Sequence, residues 1–136
     1  MVELFAWANI WGDEAQEDEH SSYSRNVEPL IRSKIDEFHW LEEASPVVMN
    51  FQFLNGELTL NIMLKTNRLR KSSQDVFDLF NYIVEIARGS YGLIYMYDSE
   101  NPDGKNNIFQ VFVLKNGALK EAVDPFLSPV VSNVSR

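Results

Sequence analysis

The 136-residue sequence has no cysteine. That excludes a disulfide framework, a thiol nucleophile and a thiolate metal site. Only two histidines occur, His20 and His39. Neither has zinc-site spacing, and no Gly-x-Ser-x-Gly elbow accompanies them. His39 reads as a surface or capping side chain near Trp40. No Gly-x-x-x-x-Gly-Lys loop and no Gly-x-Gly-x-x-Gly fingerprint is present. Gly89-Ser90-Tyr91-Gly92 lies after a helical pattern and before a strand pattern, the reverse of a phosphate loop. No stretch approaches the roughly 20 apolar residues of a membrane-spanning helix. Met1-Val2-Glu3-Leu4-Phe5 has no basic region, so no signal peptide is expected. Cofactors and metals are not expected, and neither is catalysis. The many carboxylates leave an enzyme as a third-ranked reading.

What remains is ordinary for one globular domain, residues 1–136: 45% hydrophobic and 24% charged, enough for a single core. The formal net charge is -8. Such a surface repels phosphate backbones and anionic lipid and attracts basic partners. Acidity that merely keeps the chain soluble gives the same number.

The stretch Gly89 to Leu114 organises the chain. Gly89 is expected to stop a helix in the left-handed conformation, and Gly92 to let the chain turn into a strand. Leu93 to Tyr97 and Ile108 to Leu114 read as strands joined by the turn Asn101-Pro102-Asp103-Gly104. Upstream, Val2 to Trp11 alternates with period two, predicting a strand with Phe5, Trp7 and Trp11 on one face. Asp13 to His20 is dense in carboxylates, either a solvated loop or helix start or an acidic patch facing a cationic partner. Ser22 to Ala44 carries an apolar stripe (Val27, Ile31, Ile35, Phe38, Leu41), with regular helix expected from near Asn26 so that Pro29 falls in the first turn. Val47 to Leu54, Asn55-Gly56 and Glu57 to Lys65 form a hairpin. Arg68, Arg70 and Lys71 are a basic cluster too small to mark a nucleic-acid site. Ser72 and Asp75 have capping-box spacing before a second helix. Asn116-Gly117 is another tight turn, before a short edge strand at Ala118 to Val123. The proline-bearing tail is irregular, with a mobile end.

The order β-α-β-β-α-β-β predicts an α+β fold. It is an antiparallel sheet of four to five strands with two helices packed on one face, a split βαβ, ferredoxin-like arrangement. The other face would carry Phe5, Trp7, Trp11, Tyr95 and Tyr97. Either it is a binding platform or the tail, Phe126 and Leu127 included, covers it.

Several blocks resemble one family. They are Glu3-Leu4-Phe5-Ala6-Trp7-Ala8, the run from Gly89 to Asp98, Asn107-Ile108-Phe109-Gln110-Val111-Phe112-Val113-Leu114, and Asp124-Pro125-Phe126-Leu127-Ser128-Pro129. Thr66-Asn67-Arg68 adds a further element. Together they look like the immunity protein 7 family. The acidic stretch Asp13 to Glu19 and the Pro102-Asp103-Gly104 turn lie outside the resemblance. It implies a non-enzymatic antidote of bacterial polymorphic toxin systems, contact-dependent inhibition loci among them. Such a protein is made in the cytoplasm and binds a cognate toxin domain, often a nuclease. It carries over no binding residues. On charge and aromaticity, the expected partner-binding residues are Glu14, Glu17, Asp18 and Glu19, with Trp7 and Trp11 as anchors. Neither nucleic acid nor membrane is an expected partner. The alternative is a small-ligand or nucleic-acid-binding regulator using the open sheet face.

Overall fold

The computed structural model describes residues 1–12, 17–38, 47–67 and 71–131, with the backbone alone for 17–22. The elements are β1 (Val2–Asn9), α1 (Glu17–Asp36), β2 (Val47–Leu54), β3 (Glu57–Thr66), α2 (Lys71–Ile86), β4 (Tyr91–Asp98), β5 (Phe109–Lys115) and β6 (Ala118–Ala122).

The α+β class with two helices on a sheet holds, but the predicted sheet is corrected. It has six strands, not four to five, in the order β2-β3-β1-β4-β5-β6 with every neighbouring pair antiparallel. The topology is not a simple split βαβ, because the chain continues beyond β4 and adds β5 and β6 side by side. The sixth strand, Ala-Leu-Lys-Glu-Ala, lies within the short edge strand expected at Ala118 to Val123, which the predicted element order left out. Only Leu119 reaches the core, where it packs as a partly buried side chain. The Asn116-Gly117 turn imposes the pairing. Both residues have positive φ, 53° and 72°, the type I′ geometry whose twist returns a strand onto its neighbour. Asn55 and Gly56, at 50° and 81°, do the same for β2 and β3.

Alternation in the central strands sends one face to the helices. Val2, Leu4, Ala6 and Ala8 of β1, Leu58, Leu60, Ile62 and Leu64 of β3, and Ile94 and Met96 of β4 are buried. They meet Val27 and Ile31 of α1 and Val76, Leu79, Phe80 and Ile83 of α2 in one cluster. Tyr23 of α1 donates a hydrogen bond to the Ile86 carbonyl at the end of α2.

Helix α1 begins earlier than the sequence suggests, and Pro29 lies inside it rather than in its first turn. An interior proline costs about 3 kcal/mol. Val27 and Ile31, on either side of it, are 5% and 0% exposed. Burying each contributes about 1.5–3 kcal/mol, and ahead of both, Tyr23 packs against the core and Ser24 is fully buried, contacts that only the earlier start provides. Pro29 and Arg25 are themselves exposed, so water can reach the carbonyl that the proline leaves without a donor. Ser72 lies within α2 rather than before it. The expectations for His39, Trp40 and Leu41, for Arg68 and Arg70, and for a mobile end past residue 131 lie outside the described residues.

Candidate partner-binding face

The second face of the sheet carries no helix. Strand register lays its side chains out in rows. One row runs Val48, Met63, Phe5, Tyr95, Val111, Ala122, and the next runs Asn50, Asn61, Trp7, Leu93, Val113, Lys120. These two rows contain no carboxylate. Polar groups close both borders. On one side Thr59 donates to Asn9 Oδ1 (3.1 Å), and Asn9 Nδ2 donates to the Tyr91 hydroxyl (2.9 Å). On the other, Lys65 pairs with Glu3 at 3.7 Å. An apolar middle with a polar rim is the anatomy of a protein-binding surface.

Trp7 is the centre of this face. Three depressions adjoin it and each is lined by it. One, of about 320 Å³, lies toward Val48, Asn50 and Met63. A second, of about 300 Å³, lies toward Tyr95, Phe109 and Leu127. The third, of about 560 Å³, lies toward Gly89–Gly92 and the end of β5. The indole ring meets Tyr91 edge-on at 6.1 Å and 88°, which fixes its orientation.

The tail covers this face only in part. Asp124 anchors it. Its carboxylate accepts hydrogen bonds from the Tyr95 hydroxyl, the Phe126 and Leu127 amides (both 3.0 Å) and the Ser128 hydroxyl (2.9 Å). The Phe109 amide donates to Ser128 Oγ (2.8 Å), tying the tail to β5. Burial alone would raise the Asp124 carboxyl, but the bonds from Tyr95, Phe126, Ser128 and Leu127 outweigh it and hold it below its ordinary value. Burial, then the Asp124 carboxylate, pushes the Tyr95 phenol up to about 12. Val111, in the row nearest the tail, is buried, while Phe126 points away at 83% exposed. Phe5, Trp7, Met63 and Val48 keep between 36% and 59% of their surface exposed. The platform therefore survives around Trp7.

The structure separates the two tryptophans. Strand β1 ends at Asn9, two residues before Trp11. The Trp11 amide donates to Ser90 Oγ (3.0 Å), which in turn donates to the Trp11 carbonyl (3.5 Å). Trp11 is half-buried with its indole nitrogen enclosed. The Gly-Ser-Tyr-Gly block forms a close junction with this segment. A Cβ on Gly89 would lie 1.8 Å from the Gly12 carbonyl oxygen, and one on Gly92 would lie 2.0 Å from that of Trp7. Gly89 does not have the expected positive φ. Its smallness is needed for close backbone approach.

Glu17, Asp18 and Glu19 form the first turn of α1, in the layer on the opposite side of the sheet from Trp7. Acidic residues in a first helical turn also complement the helix dipole. Glu14 lies outside the described residues. The backbone of residues 17–19 and strand β1, which carries Trp7, thus belong to different layers. Val48 and Met63 were overlooked. Their signal was an apolar residue in the phase otherwise occupied by Asn50, Asn61 and Thr59.

Among the described residues no group of three or more His, Cys, Asp or Glu side chains is placed to hold a metal ion, and no helix is long and apolar enough to cross a membrane. No curated protein and no solved structure matches the chain. The family model described as Immunity protein 7 matches residues 1–136. The blocks at the Gly12–Gly89 junction and the Asp124 anchor fall within that match, and the chain belongs to the immunity protein 7 family.

Proposed function

We propose that this immunity protein neutralises its toxin by stoichiometric docking, without chemistry of its own, and that the open sheet face around Trp7 is the docking surface. The observation that carries the reading is Trp7 itself. It is a rigid aromatic side chain, 37% exposed, at the meeting of three depressions. Central, pocket-flanking tryptophans are the residue type that dominates interface energetics. A partner seated there covers the two rows without having to desolvate a carboxylate.

The toxin class we favour is a nuclease acting in the cytoplasm, where the antidote is made. A nuclease needs a cationic surface to hold nucleic acid. The net charge of -8 steers such a partner toward the chain. Exposed Asp36, Glu37, Asp78, Glu85, Glu100 and Asp103 contribute to that field. The regulator alternative gains little from the face, whose two central rows are almost uncharged. The test is co-expression with the toxin domain encoded beside it. Rescue of growth, together with co-purification of the pair, supports the reading. A toxin that stays active and unbound refutes it.

A further inference from the structure

The tail after β6 combines a fixed backbone with exposed apolar side chains. Its backbone is tied at two points. The Asp124 carboxylate accepts the Phe126 and Leu127 amides (both 3.0 Å). Further on, the Val130 amide donates to the Asn107 carbonyl (2.8 Å), the Val131 amide to Asn107 Oδ1 (2.7 Å), and Asn107 Nδ2 to the Val131 carbonyl (3.0 Å). Between these ties Phe126 is 83% exposed and Leu127 55%. The tail is continuous with the open face. Leu127 borders the same depression as Trp7 and Tyr95. Phe109 carries the aromatic surface toward the tail, its ring 5.2 Å from that of Tyr95 and 5.6 Å from that of Tyr97. Its amide in turn holds Ser128.

The flat part of the face is too small to hold a partner by itself. Six strands about 4.8 Å apart, with rows about 6.6 Å apart, give its two central rows roughly 380 Å² of plane. A stable complex buries about 800 Å² on each partner. Resting on the reading of this face as the docking surface, we infer that the tail is its second half: Phe126, backed by Leu127, is an anchor that enters an apolar cleft of the folded toxin domain, while Trp7 meets the toxin across the shared depression. Charge selects this occupant over a second copy of the chain. Another copy brings the same net charge of -8 and is repelled, whereas a cationic partner is drawn in. The ties at Asp124 and Asn107 have already ordered the segment, so docking costs less conformational entropy than it would for a loose tail. That advantage lengthens residence and leaves the rate of arrival to the field of the whole chain.

The experiment measures binding of the full chain to its cognate toxin domain for the wild type, Phe126→Ala, Phe126→Leu, Trp7→Ala and Leu30→Ala, with a thermal melt of each. Leu30 is 50% exposed on α1, in the opposite layer, so Leu30→Ala removes exposed apolar surface away from the site. The inference expects Phe126→Ala to weaken binding about tenfold or more, chiefly by faster dissociation, with the melt unchanged, and Phe126→Leu to weaken it less. Leu30→Ala should stay within about twofold. Wild-type affinity in Phe126→Ala, with Trp7→Ala weakened, overturns the inference and leaves the docking reading standing. Equal weakening by Leu30→Ala overturns the inference as well. Sedimentation of the chain alone covers the other occupant: a concentration-dependent dimer lost in Phe126→Ala assigns the tail to a second copy and overturns the inference. Wild-type affinity in both Phe126→Ala and Trp7→Ala, or no complex with the wild type, overturns the docking reading beneath it.

Discussion

The Tyr95 hydroxyl donates a hydrogen bond to Asp124, and that one carboxylate also holds two tail amides and the Ser128 hydroxyl. The pair makes the tail's attachment dependent on pH at both extremes. Asp124 has a depressed folded value. Its contribution is present above the ordinary carboxylate range and is lost as pH falls through the folded value. Tyr95 is raised from 10.0 to about 12. Its contribution is complete below pH 10.0 and is lost as pH climbs toward about 12. An ultraviolet titration should therefore show a component ionising late, and Tyr95→Phe should remove that component. The variant should lose about 1.5 kcal/mol of stability near neutrality, the lower end of the range for a bond to a charged acceptor. A late component that persists in Tyr95→Phe refutes the assignment.

Gly89→Ala and Gly92→Ala should each destabilise the fold by about 3 kcal/mol or more, because the added Cβ meets backbone that cannot yield. The clashes are at 1.8 Å and 2.0 Å. Gly56→Ala is the contrast. Nothing lies within 4 Å of its Cβ position, and only its φ of 81° is strained. It should cost about 1–2 kcal/mol. Urea denaturation of the three variants gives the ranking. A Gly56 variant as unstable as the other two would show that turn conformation, not backbone proximity, sets the cost.

These glycines show where sequence reading reaches its limit. Asn55-Gly56 and Asn116-Gly117 were legible because a type I′ turn is a local demand on φ. Gly89 was assigned a local role too, and wrongly. Its constraint is Gly12, far away along the chain, and no periodicity reports a carbonyl brought close by folding. The same gap separated Trp7 from Trp11. Strict alternation put both on one face, yet β1 ends before Trp11, and Ser90 takes over both of its backbone groups. Pro29 was misplaced because a local rule was applied where the packing of Tyr23 and Ser24, ahead of the expected start, lengthens the helix. The aromatic face itself was legible, since period-two patterning fixes which side chains share a side. Whether the tail covers it was not, because the Tyr95–Asp124 bond that holds the tail joins distant parts of the chain.

Trp7→Ala and Ser90→Ala should separate binding from folding. Removing the indole should weaken toxin binding by about 2–4 kcal/mol, the range of an interface anchor, mainly through faster dissociation. Ser90 is 1% exposed, and its hydroxyl serves the Trp11 amide and carbonyl. Losing it strands a buried donor, so stability should fall by about 1–3 kcal/mol. The folded fraction should bind toxin with unchanged affinity. Surface plasmon resonance paired with thermal melts distinguishes the two. A Ser90→Ala chain that folds well and binds poorly would move the interface to the β1–β4 junction.

Charge reversal in the first turn of α1 tests the acidic residues by their kinetics. Glu17→Lys, Asp18→Lys and Glu19→Lys alter the field from the helix layer. Together they should slow association with the toxin by about tenfold at low salt and leave dissociation unchanged. Raising the salt should erase the difference, since exposed charges are screened beyond a Debye length of about 8 Å at physiological ionic strength. Each reversal should also cost the helix about 0.3–1 kcal/mol through its dipole, so rates are compared well below the melting temperature. Faster dissociation, undiminished by salt and larger than that of Trp7→Ala, would place the toxin against the start of α1. The sheet face would then be left without its assigned partner.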